Sequence, residues 1–190
     1  MRKDGCMSTL RQLAEIYGCD KLFAHSYVES FYSELFANRK VEALLEIGIG
    51  YEELMKPFVP HYCHGASLKM WRDLFPGALI FGADIRRDSL IWEPPIRCIE
   101  IDQSNPADLK RLADLTDTIG KWDVVIDDGS HQTDHQILTA QVLLPSVAPG
   151  GVYIVEDVQE PERVAAALPG SVIHRFDKRP DDVLVVKEVS

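Results

Sequence analysis

The sequence lacks two features that would place it in large classes of protein. No apolar run reaches the roughly 20 residues that a membrane-spanning helix requires, and residues 1–20 contain no apolar segment typical of a secretory signal peptide. Basic residues are few and scattered, since 20 Lys and Arg stand against 30 Asp and Glu and give a net charge of −10. Because nucleic-acid binding requires a basic surface, we expect a cytoplasmic protein that binds neither membranes nor nucleic acid.

The cysteines also lack any pattern that would indicate a disulfide framework or a zinc site. They are Cys6, Cys19, Cys63 and Cys98. We interpret them as reduced thiols. Internal repeats, low-complexity segments and Gly/Ser-rich linkers are missing as well. We therefore predict a single domain over residues 1–190, with an N-terminal helical cap over residues 1–40. The sequence leaves a monomer and a homo-oligomer both open.

What the sequence does contain is an alternation of short apolar runs and helical stretches. The apolar runs predict parallel strands over residues 42–50, 78–85, 96–102, 122–127 and 151–158. Helices are predicted over residues 66–74, 106–116 and 134–147. A closing antiparallel pair is predicted over residues 171–177 and 182–189. Strands separated by helical segments imply right-handed crossovers, so the pattern predicts an α/β protein with a doubly wound sheet and helices on both faces.

Polar residues or glycines end every one of the five predicted parallel strands. In a doubly wound sheet, ligands bind beyond the carboxyl ends of the strands, where the strand order reverses. The strand-end residues are Glu46, Gly48 and Gly50, then Asp84, then Asp102 and Gln103, then Asp127 and Asp128, and finally Glu156 and Asp157. One polar strand end is ordinary, because strand ends meet water. Five together indicate a ligand site along this edge.

The glycines after the first strand, Gly48 and Gly50, permit a ligand to approach closely but do not complete a dinucleotide-binding fingerprint. That fingerprint requires a third glycine where this chain has Glu53, and it requires a helix that begins at once. Here residues 51–64 intervene before the next predicted helix. This connection is longer than usual, which favours a functional lid. Asp84 can still accept hydrogen bonds from ribose hydroxyl groups, as an acidic residue does in that fold.

Four motifs resemble those of a known family. They are "YGCDK" (17–21), "GASLKMWRDLFP" (65–76), "DDGSH" (127–131) and "VEDVQ" (155–159). Together with "LLEIGIG" (44–50), they resemble the class I S-adenosylmethionine-dependent methyltransferases, and more closely the metal-dependent O-methyltransferases that modify macrolide sugars in antibiotic biosynthesis. The resemblance covers residues 15 to about 160. Cys19 replaces the threonine of the first motif, and the sequence has no counterpart of the N-terminal substrate domain of some members, so the acceptor is not implied.

The resemblance implies a Rossmann-like fold with a seven-stranded, mostly parallel sheet and an antiparallel closing strand. It also implies S-adenosylmethionine as the cofactor. The expected cofactor-binding residues are Glu46, Gly48, Gly50, Ser67, Asp84, Asp102, Gln103 and Asp128. Met70 and Trp71 lie at helical spacing in the second motif, and we expect them in the core rather than at the cofactor.

The paired acids at the ends of the fourth and fifth strands predict a metal site. Neighbouring parallel strands lie about 4.8 Å apart, so these pairs bring several carboxylates into one small volume. Such crowding is costly unless a cation neutralises it, and Mg²⁺ prefers oxygen ligands. The family resemblance implies Asp128, Glu156 and Asp157 as the Mg²⁺ ligands. Asp127 points to the opposite face of its strand, and we expect it to be structural.

His131 lies three residues after Asp128 and is a candidate general base. Imidazole is the side chain that most often removes protons near neutral pH, and the resemblance implies the same role. The alternative is a loop histidine that hydrogen-bonds to the backbone. The sequence does not show whether other histidines also reach the site; these are His25, His61, His64 and His135.

These features predict a Mg²⁺-dependent O-methyltransferase of secondary metabolism that acts on a hydroxyl group of a small polyhydroxylated molecule. Two alternatives stay open. The first is an N-methyltransferase whose bare carboxylates hold a cationic amine or guanidine without a catalytic metal. The second is a protein that binds the cofactor without turnover.

Overall fold

The computed structural model describes residues 9–190, and their strands and helices follow the predicted alternation. The strands are β1 (Ala43–Ile47), β2 (Leu79–Asp84), β3 (Ile96–Glu100), β4 (Trp122–Asp127), β5 (Val147–Val155), β6 (Val172–Arg175) and β7 (Val183–Glu188). The α-helices are α1 (Leu10–Tyr17), α2 (Asp20–Phe23), α3 (Ser33–Phe36), α4 (Glu52–Met55), α5 (Ala66–Leu74), α6 (Pro106–Asp114), α7 (Thr116–Ile119), α8 (Thr133–Leu143) and α9 (Pro161–Ala167). A π-helical turn (Val28–Tyr32) precedes α3, and 3₁₀ turns span Arg87–Ser89 and Leu144–Ser146. Cys6 and the first eight residues of the predicted N-terminal cap lie outside the described residues.

The strands form one seven-stranded sheet in the order β3-β2-β1-β4-β5-β7-β6. The pairs from β3 to β5 are parallel, whereas β7 runs antiparallel to both of its neighbours. The order reverses between β1 and β4, which places the binding crevice of such a sheet beyond their carboxyl ends. The predicted fold class, including the antiparallel closing pair, is confirmed.

Helices cover both faces of the sheet, and each face has its own apolar core. On one face, α5 and the N-terminal segment (residues 9–37), which includes α1, pack on the strands. Leu13, Met70 and Trp71 are buried there. On the other face, α6, α8 and α9 pack against the sheet. No helix within residues 9–190 is long and apolar enough to cross a membrane.

The boundary between α8 and β5 differs from the sequence prediction. The helix was expected to continue to about residue 147, but it ends at Leu143 and β5 begins at Val147. Pro145 lies in the intervening 3₁₀ turn, where its missing N–H and fixed φ suit a first turn rather than a helix interior. The Ser146 hydroxyl donates to the Leu143 carbonyl and closes the turn. The predicted helix end was therefore wrong by about one turn.

The backbone between β1 and β4 is packed so closely that Gly48 is required there. A Cβ atom at this position would lie 1.9 Å from the Asp128 carbonyl oxygen, and Gly48 has φ = +90°. The Asp128 N–H donates to the Ile47 carbonyl, and the Gly48 N–H donates to the Ala83 carbonyl. These bonds fix the ends of three central strands against one another at the crevice.

We expect Gly48→Ala to destabilise the protein much more than Gly77→Ala. Gly77 also has a positive φ (+94°), but a Cβ there would meet nothing within 4 Å. The Gly77 variant therefore isolates the conformational penalty, about 1–2 kcal/mol, to which the Gly48 variant adds a backbone clash. Urea unfolding of both variants measures the difference. Equal losses in the free energy of unfolding would contradict the close approach of β1 and β4.

Candidate active site

Two adjoining cavities open at the carboxyl edge of the sheet. Their volumes are about 340 and 240 Å³. Both are lined by Gly48, Asp84, Ile85 and Gly129, so the two cavities share one floor. The first extends over the ends of β3 and β4. The second extends toward α5, the 51–64 segment and the end of β5. An elongated ligand can therefore span both.

Asp84 lies at the junction of the cavities, and the backbone orients its carboxylate. The Ile49 N–H donates to Oδ2 at 2.9 Å, and the Arg86 N–H donates to Oδ1 at 2.8 Å. Each carboxylate oxygen can accept a further hydrogen bond, because a carboxylate offers about four acceptor positions. Asp84 is therefore fixed in place with acceptor capacity facing both cavities, and its role as a ribose-binding residue stays a prediction.

The first cavity also contains Asp102 and Gln103, but Gln103 is already engaged by the protein. Its Nε2 donates to Asp127 at 2.6 Å, and its Oε1 accepts from the Ser130 N–H at 2.9 Å. Gln103 thus connects the ends of β3 and β4. Asp102 accepts two hydrogen bonds from Ser104, which lower the pKa of its carboxyl group. The structure leaves Asp102 ionised at the rim of the cavity.

The remaining predicted cofactor residues divide between the second cavity and the interior. Gly48, Gly50, Ser67 and Asp128 line the second cavity. Glu46 lines neither cavity and is fully buried. Trp71 Nε1 donates to its Oε2 at 2.8 Å. A direct contact between Glu46 and a cofactor would require this carboxylate to leave its interior partners.

Lys21 is the interior partner that the sequence analysis missed. Its side chain is 1% exposed, and its ammonium group lies among three carboxylates. Nζ donates to Asp128 at 2.7 Å and to Glu156 at 2.9 Å, and it forms an ion pair with Glu46 at 3.1 Å. An ammonium group has three protons, so three acid contacts match its capacity. The "YGCDK" motif that contains Lys21 was noticed, but nothing in the sequence linked it to the strand ends.

The pKa shifts in this cluster follow from burial and charge. Burial alone would lower the pKa of Lys21, but Asp128, Glu156 and Glu46 raise it well above its ordinary value. Burial raises the pKa values of Glu156 and Glu46, and the Lys21 ammonium opposes both increases. Lys21 therefore stays protonated, and its charge offsets part of the increase that burial causes in the pKa values of Glu156 and Glu46.

The local fold of the N-terminal segment directs Lys21 into the sheet. Helix α1 ends at Tyr17 and is capped by Gly18, whose φ of +65° reverses the chain before α2 begins at Asp20. The end of α1 is held against the 51–64 segment, since the Cys63 N–H donates to the Tyr17 carbonyl and a Cβ at Gly18 would lie 2.8 Å from the His61 carbonyl oxygen. This turn directs Lys21 inward toward the strand ends.

Two tyrosines of the same segment bind the acids that end β5. Tyr32 donates to Glu156 Oε1 and Tyr27 donates to Asp157 Oδ1, each at 2.5 Å. Both oxygens of Glu156 are therefore bound by the N-terminal segment, one by Tyr32 and one by Lys21. Burial, followed by the nearby charge of Asp128, raises the pKa of Asp157 to about 6.

The predicted metal ligands are only partly brought together. Asp128, His131 and Asp157 each offer a ligand atom, and these atoms lie within 4.8 Å of one another. Two carboxylates at this separation fit a divalent cation, because carboxylate oxygens suit Mg²⁺, and the His131 imidazole lies beside them. Glu156 is not part of this group, because Lys21 and Tyr32 hold it. Its assignment as a ligand stays a prediction.

Two residues of this cluster, one after β4 and one after β5, have unusual backbone conformations. His131 has φ = +55° and Asp157 has φ = +52°, and within residues 9–190 they are the non-glycine residues with positive φ. Such conformations cost about 1–3 kcal/mol and are concentrated at functional sites. His131 Nδ1 is buried and has no hydrogen-bond partner among the described residues. The structure therefore does not support the alternative in which His131 Nδ1 bonds to the backbone.

The other histidines lie outside the cluster around His131. His25 Nδ1 is 2.5 Å from Asp182 Oδ1 and 3.5 Å from Asp157 Oδ1, so it supports Asp157 from the interior. His61 packs edge-on against Phe23, and His64 bonds to the Ser89 carbonyl. His135 bonds to Ser130 and lines the first cavity.

Asp127 has the structural position that strand alternation predicts. It is fully buried, and burial raises the pKa of its carboxyl group to about 7.

The 51–64 segment contains α4 and packs on the crevice, since Tyr62 donates to the Ile49 carbonyl and Met55 lies 3.2 Å from where a Cβ of Gly50 would be. A lid function for this segment stays a prediction.

Comparison with known proteins gives a consistent group of relatives. No family model matches the chain. It is 39% identical over 153 residues to the 8-demethyl-8-alpha-L-rhamnosyl tetracenomycin-C 2'-O-methyltransferase of Streptomyces olivaceus, covering 79% of this chain and 38% of that protein. It is 37% identical over 151 residues to the demethylmacrocin O-methyltransferase of Streptomyces fradiae, covering 79% of this chain and 35% of that protein.

A solved structure agrees with these relatives. MycE methyltransferase from the mycinamycin biosynthetic pathway, in complex with Mg and SAH, superposes with a TM-score of 0.73 and 28% identity, covering 97% of this chain and 55% of that one. The chain is a homologue of the sugar O-methyltransferases of antibiotic biosynthesis. The predicted family resemblance is confirmed. This chain spans less than two fifths of the length of the tetracenomycin-C and demethylmacrocin O-methyltransferases that it matches.

We expect Lys21→Met to lower the free energy of unfolding by about 3–5 kcal/mol, because it leaves buried carboxylates without their cation. Lys40→Met is the matched control, since the Lys40 side chain is 84% exposed and pairs with exposed Glu42. The loss should be smaller at pH 5 than at pH 8. Glu46 and Glu156 have raised pKa values, so acid neutralises them once Lys21 is gone. Urea unfolding at both pH values measures this, and equal stability of the two variants would contradict the role of Lys21.

Proposed function

We propose that this chain is the methyl-transferring part of a Mg²⁺-dependent O-methyltransferase that uses S-adenosylmethionine and modifies a hydroxyl group of a small polyhydroxylated molecule, such as a sugar. One observation carries the proposal. The two adjoining cavities together form a trough, with Asp84 and Gly48 on its floor. The cluster of Asp128, His131 and Asp157 lies at the wall of this trough. A cofactor held on that floor would present its reactive end to the cluster.

The trough supports the cofactor assignment by the chemistry of its lining. Asp84 is oriented to accept from ribose hydroxyl groups, and the first cavity beyond it offers Ile101, Asp102 and Ser130 to an adenine ring. S-adenosylmethionine supplies the methyl group through its sulfonium centre. Gly48 leaves room for the chain that links the ribose to the amino-acid part.

The residues at the cluster fit a metal and a base. Asp128 and Asp157 would hold Mg²⁺, with Glu156 as the further ligand that the family resemblance implies. Mg²⁺ in that position would lower the pKa of an acceptor hydroxyl group. His131 would accept the hydroxyl proton at its imidazole as the acceptor oxygen takes the methyl group from the bound cofactor, which would leave as the neutral thioether S-adenosylhomocysteine.

The N-methyltransferase alternative is less well supported by the charges at the site. Lys21 already forms ion pairs with Glu46 and Glu156 and occupies one oxygen of Asp128. Fewer bare carboxylates therefore remain for a cationic acceptor. A protein that binds the cofactor without turnover would bind S-adenosylhomocysteine in calorimetry but would show no methyl transfer. Cytoplasmic location stays a prediction from the sequence, and the choice between a monomer and a homo-oligomer stays open.

We expect Asp84→Ala to weaken S-adenosylhomocysteine binding by about 1.5–3 kcal/mol, because it removes hydrogen bonds to a charged group. Asp88→Ala is the matched control. Asp88 is exposed and bonds to the Arg86 side chain, so its loss leaves Asp84 in place. Isothermal calorimetry measures both affinities. Unchanged affinity in the Asp84 variant would remove this residue from the cofactor site.

We expect a chelator to abolish methyl transfer and added Mg²⁺ to restore it. Asp157→Asn should raise the Mg²⁺ concentration needed for turnover while S-adenosylhomocysteine affinity changes little, because the metal orients the acceptor rather than the cofactor. Formation of S-adenosylhomocysteine from a panel of glycosylated acceptors is the measurement. Full turnover in excess chelator would contradict the metal assignment and favour the N-methyltransferase.

We expect His131→Ala to reduce turnover by about 10²–10⁴-fold, the usual contribution of a positioned base. Metal and cofactor affinities should remain near those of the unmodified protein. His174→Ala is the control, because His174 lies on β6 and packs against Phe31, away from the trough. Single-turnover kinetics separate this effect from binding. Similar turnover in both variants would exclude His131 as the base.

A further inference from the structure

The N-terminal segment contributes a second charged residue to the site, next to Lys21. Asp20 begins α2 and lines the second cavity, whereas the neighbouring Lys21 is buried under it. The two residues of one short helix thus face different environments. Lys21 meets the interior carboxylates, and Asp20 is open to the ligand.

The Asp20 carboxylate has acceptor capacity to spare. Within the described residues, its hydrogen-bond contact is the Cys19 thiol, at 3.7 Å from Oδ1. A thiol is a weak donor, so this contact satisfies little of what a carboxylate can accept. Asp20 is also outside the group of Asp128, His131 and Asp157 that fits a metal ion. Its charge is therefore available to a cationic group of a ligand.

The position of Asp20 indicates which cationic group it meets. The second cavity begins at Asp84, on the floor shared with the first cavity, and also contains Ser67 and Asp20. A cofactor with its ribose at Asp84 and its adenine in the first cavity must place its amino-acid part in the second. That part carries one ammonium and one carboxylate group. Since this inference rests on the proposed cofactor, it deepens the proposed function.

We propose that Asp20 binds the α-ammonium group of the cofactor's amino-acid part. Ser67 lies in the first turn of α5, and no side chain caps that helix. The Ser67 hydroxyl group is engaged by Glu46, but the free N–H groups of this turn offer donors to the α-carboxylate of the same ligand. The ammonium group thus meets the Asp20 carboxylate of α2, and the α-carboxylate meets N–H donors of α5.

This assignment connects cofactor binding to the N-terminal segment. Asp20 and Lys21 are consecutive, so a ligand held by Asp20 lies against the helix that also holds Asp128 and Glu156 through Lys21. The preceding Gly18 turn is held by the 51–64 segment. The cofactor's amino-acid end would therefore be bound by a part of the chain far in sequence from the glycines of β1.

The test compares two ligands that differ only in the amino-acid part. S-adenosylhomocysteine carries it, whereas 5′-methylthioadenosine keeps the adenosine and the sulfur but lacks the ammonium and carboxylate groups. Calorimetry of both ligands is carried out with the unmodified protein, with Asp20→Asn and with Glu53→Gln. Glu53 is exposed on neighbouring α4 and lines neither cavity, so its variant controls for a general loss of negative charge.

We expect Asp20→Asn to weaken S-adenosylhomocysteine binding about 10- to 100-fold, the usual range for a hydrogen bond to a charged group, and to leave 5′-methylthioadenosine binding within about twofold. Glu53→Gln should change neither affinity appreciably. Unchanged affinity for S-adenosylhomocysteine in the Asp20 variant, or an equal loss for both ligands, would overturn the assignment. If the unmodified protein binds 5′-methylthioadenosine and S-adenosylhomocysteine equally well, the amino-acid part has no site and the assignment also fails. If it binds neither ligand, the proposed function itself fails.

Discussion

The ion cluster around Lys21 is the interaction on which the architecture of the site depends. Four strand-end acids, Glu46, Asp128, Glu156 and Asp157, converge at one edge of the sheet, and two of them are almost fully buried. Charges removed from water in this way are stable only if they are paired. A single ammonium group contacts three of the four and comes from outside the sheet. The N-terminal segment is therefore part of the electrostatic design of the crevice and does more than cover one face of the core.

This pairing separates the acids into an interior set and an exposed set. Lys21 and Tyr32 fix Glu156, and Lys21 and Trp71 fix Glu46, so both face the core. Asp128 shares one oxygen with Lys21 and is also open to the second cavity with Asp157. The exposed carboxylates lie beside His131, where proton removal is proposed. Because the interior acids are held by Lys21, Tyr32 and Trp71, only Asp128 and Asp157 of the four strand-end acids face the second cavity as ligands for a cation.

Local patterns were enough to predict the strands, the α5 helix and the positions of Asp84 and Gly48, because apolar periodicity and strand ends are encoded over a few residues. The end of α8 was missed since Pro145 acts through a single turn that periodicity does not register. Lys21 was missed for a different reason. It is 107 residues from Asp128 and 135 from Glu156, and a lysine in a polar motif reads as exposed. Long-range ion pairing leaves no local signal, although the motif that carries Lys21 was visible.

The most direct test of this account is a crystal structure of the protein with Mn²⁺ in place of Mg²⁺ and with S-adenosylhomocysteine, with the metal located by anomalous scattering. The account predicts an anomalous peak bounded by Asp128 and Asp157, with the ribose at Asp84 and Lys21 still paired with Glu46. The same map would show whether Glu156 joins the metal. A well-occupied cofactor without a metal peak at these two carboxylates, or Lys21 displaced from the interior acids, would contradict it.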